Sequence, residues 1–219
     1  MPRPATSEKI VFGTYRLFRL AVAALTLSCA QAAASQITTS YTGTFVADDD
    51  VRLFPLHLDS ATRLTLISFS YAGGINGAGQ IIPRSGFDPV LALFDLGGVL
   101  IAQNDDGGAD VPADALTGAT FDSFLSLDLA AGDYTIAMLQ FDNEALGPTL
   151  ADGFARPGAV AFTSGFGCPD AQPSFNDVSG LPGCGRTSAF AFDAITQAPE
   201  PASAALLAVA LLGLTLRRR

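Results

Sequence analysis

Two short apolar runs joined by a glycine turn dominate the middle of the chain. Residues 90–94 and 99–102 are separated by an Asp-Leu-Gly-Gly turn. Runs of this length, bounded by Gly, Pro and Asp, are typical of β-strands, and glycine supplies the positive φ angles that tight hairpin turns need. Both faces of the first run are apolar, which indicates a central strand of a packed sheet rather than an edge strand.

Aspartates lie at both ends of this hairpin. A register that pairs Phe94 with Val99 places Asp88 opposite Asp105, with Asp106 beside it. Like charges directly opposite each other destabilise a sheet, so the arrangement needs an explanation. A bound cation is one explanation, and solvated turn residues are the other.

Alternation of apolar and polar residues predicts further strands on both sides of the hairpin. Residues 72–86 are rich in glycine and predict a loop, and residues 142–187 predict a long irregular segment. Pro55 favours an edge position for its strand. Because no segment between the two ends shows helical periodicity, the predicted fold is an all-β sandwich of about eight strands. Besides the hairpin, the predicted strands are 36–46, 51–58, 63–71, 121–129, 134–141 and 187–196.

The first 34 residues predict a signal peptide, which implies the export machinery and signal peptidase as partners. An apolar run over 20–27 precedes small residues that allow cleavage after Ala32 or Ala34. Cys29 leaves a lipoprotein alternative open, although Thr26 stands where a lipobox prefers leucine. The basic residues that precede the apolar run are Arg3, Lys9, Arg16 and Arg19.

The last residues form a tail of three parts. These are Pro199, Glu200 and Pro201, an apolar run over 202–216, and Arg217, Arg218 and Arg219. Arginines after an apolar helix favour the cytoplasmic side of a membrane, and 15 residues fall short of the ~20 that span a bilayer comfortably. The tail resembles the PEP-CTERM sorting signal of Gram-negative bacteria. The resemblance implies an inner-membrane intermediate held by the apolar helix, processing by an exosortase that cleaves or retains the tail, and a final place at the cell surface or in the extracellular matrix.

The predicted domain over residues 35–198 is strongly acidic. It contains eighteen aspartates, one glutamate, five arginines and no lysine, which gives a net charge of −14. Nucleic acid needs a basic footprint, so this composition excludes it as a partner. Aspartate in preference to glutamate is typical of turns and strand ends, where a short carboxylate caps the backbone or binds a hard cation.

Two cysteines remain after the predicted signal peptide. Cys168 and Cys184 predict a single disulfide, since the domain is exported. Zinc is the alternative, but structural zinc takes four ligands and His57 is the only histidine.

The stretch from 87 to 141 resembles the bacterial pre-peptidase C-terminal (PPC-like) domain. The resemblance rests on an aspartate-led strand at 88–95, a strand ending in Asn-Asp-Asp at 100–106, and an Ala-Gly-Asp-Tyr turn and strand at 131–136. Within that group it is most similar to PEP-CTERM proteins with an FDP…NDD core. The resemblance implies a jelly-roll-like β-sandwich that serves as an accessory module, and several such domains bind calcium through acidic loops.

The hairpin aspartates give the chain its one candidate ligand site. Calcium prefers six to eight oxygen ligands, which Asp88, Asp105 and Asp106 begin to supply, with Asp122 and Asp142 as further candidates. The spacing does not fit an EF-hand.

Catalytic chemistry has little support in the sequence. A single histidine, no lysine in the domain and no G-x-S-x-G motif argue against Ser-His and Cys-His catalysis. The expected function is a non-enzymatic surface or matrix module associated with exopolysaccharide. A purely structural or adhesive matrix protein and a secreted hydrolase are the alternatives. Candidate aromatics for stacking on a glycan are Tyr71, Phe154, Phe162, Phe166 and Phe175.

Overall fold

The computed structural model describes residues 36–197, which form two four-stranded antiparallel sheets. The first sheet has the strand order β1-β10-β3-β8, and the second has the order β2-β9-β6-β7. A two-stranded hairpin, β4 and β5, lies in the glycine-rich loop. The strands are β1 Gln36–Thr44, β2 Arg52–Leu58, β3 Thr62–Ser68, β4 Gly74–Ile75, β5 Ile81–Ile82, β6 Pro89–Asp95, β7 Leu100–Asn104, β8 Phe124–Leu129, β9 Gly132–Gln140 and β10 Ala189–Gln197.

The eight long strands have the jelly-roll order. Counted along the chain without the short hairpin, the first sheet holds long strands 1, 8, 3 and 6, and the second holds 2, 7, 4 and 5. Successive long strands alternate between the two sheets except for the fourth and fifth, which form a hairpin within the second sheet. This confirms the all-β sandwich and its eight strands.

The main core lies between the two sheets. Alternate residues of β3, β6 and β9 point into it, because side chains change face at each step along a strand. Each fully buried side chain of this size contributes roughly 1.5–3 kcal/mol to folding. The fully buried members include Leu64, Leu66, Leu91, Leu93, Ile136, Met138, Phe87 and Phe192.

A second apolar cluster lies on the outer face of the second sheet. Val90, Ala92 and Phe94 of β6 belong to it and are fully buried. Leu150 and Phe154, from the long segment over 142–187, pack against them. The cover explains why β6 is apolar on both faces, and β6 is a central strand, as predicted, between β9 and β7.

Buried polar groups attach the long segment to the sandwich. The fully buried Asp48 accepts hydrogen bonds from the backbone of Thr163 at 2.8 Å and of Phe175 at 2.7 Å. Arg186 is 3% exposed and lies between Asp177, at 3.0 Å, and Asp114, at 3.5 Å. These contacts hold a segment that contains no strand, only two short 3-10 helices over Leu150–Asp152 and Phe162–Gly165.

Two details of the hairpin and loop differ from the sequence predictions. Phe94 pairs with Leu100 and not with Val99, and a further register shift lies between Leu93 and Phe94. A β-bulge of this kind adds one residue to a strand and leaves the alternation of its side chains intact elsewhere. The loop over 72–86 contains β4 and β5, which are too short to give a periodic signal.

Candidate metal site

Asp88 is the buried centre of the acidic group. It directly precedes β6, and its residue is 2% exposed. Among residues 36–197, no hydrogen-bond partner lies within reach of its buried Oδ1 atom. An ionised carboxylate in this position lowers the stability of the fold, because burial removes the water around it and none of the residues 36–197 donates a hydrogen bond to this oxygen in its place.

Asp105 and Asp106 complete the group. They directly follow β7, and each of the three aspartates offers a carboxylate oxygen within 4.8 Å of the others. Asp105 is half-buried, and its buried Oδ1 atom also has no hydrogen-bond partner among the described residues. Asp106 is exposed, so the group opens to solvent on one side.

The bulge changes how the aspartates face one another. Leu91 pairs with Asn104, and continuing that register places Val90, rather than Asp88, opposite Asp105. The predicted pairing of Asp88 with Asp105 is therefore wrong, although the two carboxylates still meet as neighbours on the sheet. The proximity of the two carboxylates comes from the way the hairpin brings the ends of β6 and β7 together, so it does not depend on the predicted register.

Neighbouring side chains fix the backbone under the site. The hydroxyl of Ser123 donates to the carbonyl oxygens of Pro89 and Asp105, the latter at 3.0 Å. The Asn104 amide accepts from the Phe124 N–H at 2.7 Å and donates to the Asp106 carbonyl at 3.1 Å. These bonds hold the ends of β6 and β7 against β8, so the carboxylates converge without being hydrogen-bonded to one another.

The electrostatics of the site favour a bound positive charge. Burial, together with the charges of Asp105 and Asp106, raises the pKa of Asp88 well above its usual range. Burial and the neighbouring charges of Asp106 and Glu144 raise the pKa of Asp105 to about 7. Burial also raises the pKa of Asp106. Each shift disfavours the ionised carboxylate, and a cation in the group would reverse it.

The structure does not bring the other two predicted ligands into this group. Asp122 is fully buried, and its carboxylate accepts hydrogen bonds from Ser68 Oγ at 2.7 Å and from the N–H groups of Tyr71 at 3.1 Å and Ala72 at 2.8 Å. Its oxygens are already used in holding the end of β3.

Asp142 is occupied in a different way. Its carboxylate forms an ion pair with Arg156, whose side chain also donates to the Asp142 carbonyl. Within residues 36–197 the acidic group is therefore Asp88, Asp105 and Asp106, without Asp122 and Asp142.

Glu144 is a further acidic neighbour of the group, which the sequence did not single out, and its charge contributes to the raised pKa of Asp105. The adjacent N–H of Ala145 donates to the Gln103 side chain at 3.0 Å, which brings the start of the long segment to the end of β7. Glu144 is half-buried and is the one glutamate between residues 36 and 197. In the sequence, Glu144 stands out only as the single glutamate of an aspartate-rich domain. The sequence does not show that the start of the segment over 142–187 lies beside the end of β7.

The cysteines form a disulfide. Cys168 and Cys184 are joined, with their Cα atoms 5.8 Å apart. Asp170 lies beside both sulfur atoms, and its carboxylate accepts from the Gly183 N–H at 2.8 Å. Bonded sulfur atoms are not thiolate ligands, which removes the zinc alternative for this pair.

Comparison with known protein families identifies the tail. Residues 197–219 match the model of the PEP-CTERM protein-sorting motif. The chain carries an exosortase sorting signal. The motif implies export, a membrane-anchored intermediate and an exosortase as the processing enzyme, and it confirms the prediction made from the three-part tail. The predicted signal peptide, the apolar helix over 202–216 and the arginine cluster lie outside the described residues.

The comparison of folds gives a distant neighbour. The chain is similar to the pre-peptidase C-terminal domain of collagenase from Bacillus anthracis, with 9% identity over 73% of this chain and 89% of that chain and a TM-score of 0.33. No curated protein matches the chain. Over residues 36–197 there is no helix with the length and hydropathy needed to cross a membrane.

Proposed function

We propose that the chain is an exported, non-enzymatic module of the surface or extracellular matrix of a Gram-negative bacterium, stabilised by one calcium ion. The observation that carries the calcium part is the Asp88 carboxylate, 2% exposed and with a buried oxygen that no described residue satisfies. Two further carboxylates converge on it. The ligands of the ion would be Asp88, Asp105 and Asp106.

The chemistry of these donors fits calcium better than other cations. All three are hard carboxylate oxygens, with no nitrogen or sulfur ligand among them. Calcium takes six to eight oxygens in a flexible geometry, so bidentate carboxylates, water on the exposed Asp106 side and a short movement of Glu144 would complete its shell. Millimolar extracellular calcium suits the modest affinity expected of such a module.

Calcium would stabilise the fold by attaching the start of the long segment over 142–187 to the second sheet. Glu144 precedes the residues that cover the second apolar cluster, including Leu150 and Phe154. An ion held by the ends of β6 and β7 and by Glu144 would attach the start of that cover to the sheet. The expected consequence is greater stability, with no catalytic role for the ion.

The non-enzymatic part of the proposal rests on the surroundings of His57. Its ring lies 2.6 Å from Asp133 and 3.4 Å from Asp59, so both partners are carboxylates rather than the hydroxyl or thiol that a histidine base would activate. No lysine is present between residues 36 and 197. A screen of the exported protein against glycans and peptides tests this, and turnover that survives replacement of His57 but not of an acidic residue would favour a carboxylate hydrolase instead.

Association with exopolysaccharide is supported by a small aromatic group on the long segment. Phe162 and Phe166 are half-buried, with ring centroids 6.0 Å apart, and the guanidinium of Arg156 lies 5.4 Å from the Phe162 centroid. Tyr71 and Phe175, which were also candidates, are buried and unavailable to a glycan.

Affinity electrophoresis in host polysaccharide tests the aromatic group. The exported protein is expected to be retarded, and a variant with Phe162→Ala and Phe166→Ala is expected to migrate freely. A protein that no host glycan retards would leave the purely structural matrix protein as the better account.

Thermal unfolding of the exported protein with calcium or with chelator tests the metal site. Calcium at about 100 times its Kd would stabilise the fold by about 2.7 kcal/mol. For a domain of this size that corresponds to a rise in Tm of about 5–10 °C. The Asp105→Asn variant should lose most of this rise, and Asp110→Asn, an exposed aspartate on the turn that follows the site, should keep it. An unchanged Tm, or an equal rise with magnesium, would remove calcium from the proposal.

A further inference from the structure

The two sheets expose four edge strands, and three of them are protected against pairing. β2 contains Pro55 and Arg52, and a proline or a charge on an edge discourages another strand from adding to it. β8 carries Asp128. The edge of β7 is covered by the long segment, since the Leu100 N–H donates to the Pro148 carbonyl at 2.7 Å.

The fourth edge strand is β1, and among residues 36–197 no segment is hydrogen-bonded to the backbone of its free edge, although the Ala78 N–H donates to the Ser40 hydroxyl at 3.0 Å. β1 is nine residues long and contains no proline and no charged residue. Its register with β10 runs without a bulge from Gln36 opposite Gln197 to Thr44 opposite Ala189. Among residues 36–197, the backbone–backbone hydrogen bonds of this strand are those it makes with β10. A long, flat, uncharged edge is a template for a further strand.

The charge distribution favours a second copy of this chain as that strand. The domain carries nineteen acidic residues against five arginines, so most contacts between two copies would bring like charges together. β1 is uncharged over its whole length, and pairing it with itself places no charge opposite another. β2 and β8 each contain a charged residue, Arg52 and Asp128, which such pairing would bring into the new sheet.

The sequence of β1 is also compatible with antiparallel self-pairing. Pairing all nine residues requires a register centred on Ser40, which places Thr38 opposite Thr42 of the second copy and Thr39 opposite its Tyr41. Pairs of threonine with threonine and of threonine with an aromatic are favourable across strands. We propose that two copies pair through β1 in this register, which makes one continuous eight-stranded sheet across the dimer.

Cysteine cross-linking tests the register. The Ser40→Cys substitution places two thiols directly opposite, with Cα atoms about 4.5–5.5 Å apart, within the range of a disulfide. The matched control Thr44→Cys lies on the same strand, but the proposed register separates its two copies by about 27 Å. Under mild oxidation, the Ser40→Cys protein should give a covalent dimer that reductant dissolves, and Thr44→Cys should stay monomeric. Equal cross-linking of both variants, or of neither, would overturn the register.

Sedimentation of the unsubstituted exported protein tests the dimer itself, so that the result does not depend on a variant that folds poorly. A dimer should form as concentration rises, and it should strengthen with added salt, because salt screens the repulsion between two domains of charge −14. A protein that stays monomeric at every concentration and salt would overturn the proposal, as would an association that salt weakens. A monomer that only takes up an extended peptide would assign the edge to a different partner and would equally overturn it.

Discussion

Replacing Asp88 by asparagine separates the cost of burying a carboxylate from the gain of binding a cation. The two side chains have nearly the same shape, but asparagine cannot ionise. In chelator we expect the Asp88→Asn protein to be more stable than the unsubstituted protein at neutral pH. In calcium we expect this difference to shrink by the stabilisation that the ion gives the unsubstituted protein, because the variant has lost a negative ligand.

The size of the effect follows from the burial of Asp88. Its pKa lies well above the usual range in the metal-free fold, so the folded protein keeps it protonated where the unfolded chain, with a pKa of about 3.9, ionises it. Folding stability then falls by about 1.4 kcal/mol per pH unit above that value for as long as Asp88 stays protonated. The upper bound is about 5 kcal/mol at a pH of about 7.5 and about 1.5 kcal/mol at a pH of about 5. Asparagine removes this cost.

Urea unfolding in chelator at the two pH values measures the difference. The gain from Asp88→Asn should be larger at the higher pH, and Asp110→Asn should show no such dependence because Asp110 is exposed. A variant that is less stable than the unsubstituted protein in chelator at the higher pH would refute the reasoning. A gain of the same size at both pH values would refute it as well.

Two further predictions concern the long segment over 142–187. Replacing both Cys168 and Cys184 by serine opens a link between residues 16 apart in sequence, which should cost about 3 kcal/mol in thermal unfolding, and a loss under about 0.5 kcal/mol would contradict the entropic account. The Arg186→Met substitution leaves the fully buried Asp177 carboxylate without its ion pair and should cost about 3–5 kcal/mol in urea unfolding. Arg84→Met should cost less, because its partner Asp114 is also fully buried but keeps Arg186 at 3.5 Å and the N–H groups of Leu116 and Thr117 as partners. Equal losses for the two arginines would contradict the importance of these remaining partners.

The strands could be predicted from the sequence because their signal is local. Alternation located all eight long strands to within a few residues, and the two apolar faces of β6 indicated its central position. The register of the hairpin could not be predicted, because Phe94 pairs one residue further along than expected and a bulge between Leu93 and Phe94 adds a second residue to the offset, while both strands still look regular.

The sequence predicted that Asp88, Asp105 and Asp106 lie close together, but it did not predict which other acidic residues lie beside them. Asp88, Asp105 and Asp106 lie at the ends of paired neighbouring strands, so their proximity follows from the hairpin alone. Whether an acidic residue is free to bind depends on contacts distant in sequence. Asp122 is occupied by groups from the end of β3, and Asp142 by an arginine fourteen residues away.

Calorimetric titration of the exported protein with calcium tests the central claim most directly. We predict one ion per chain, binding that is lost when Asp105 and Asp106 are both replaced by asparagine, and unchanged binding in the Asp110→Asn protein. Heats no larger than dilution for the unsubstituted protein, or equal binding after the double replacement, would contradict a calcium site at Asp88, Asp105 and Asp106.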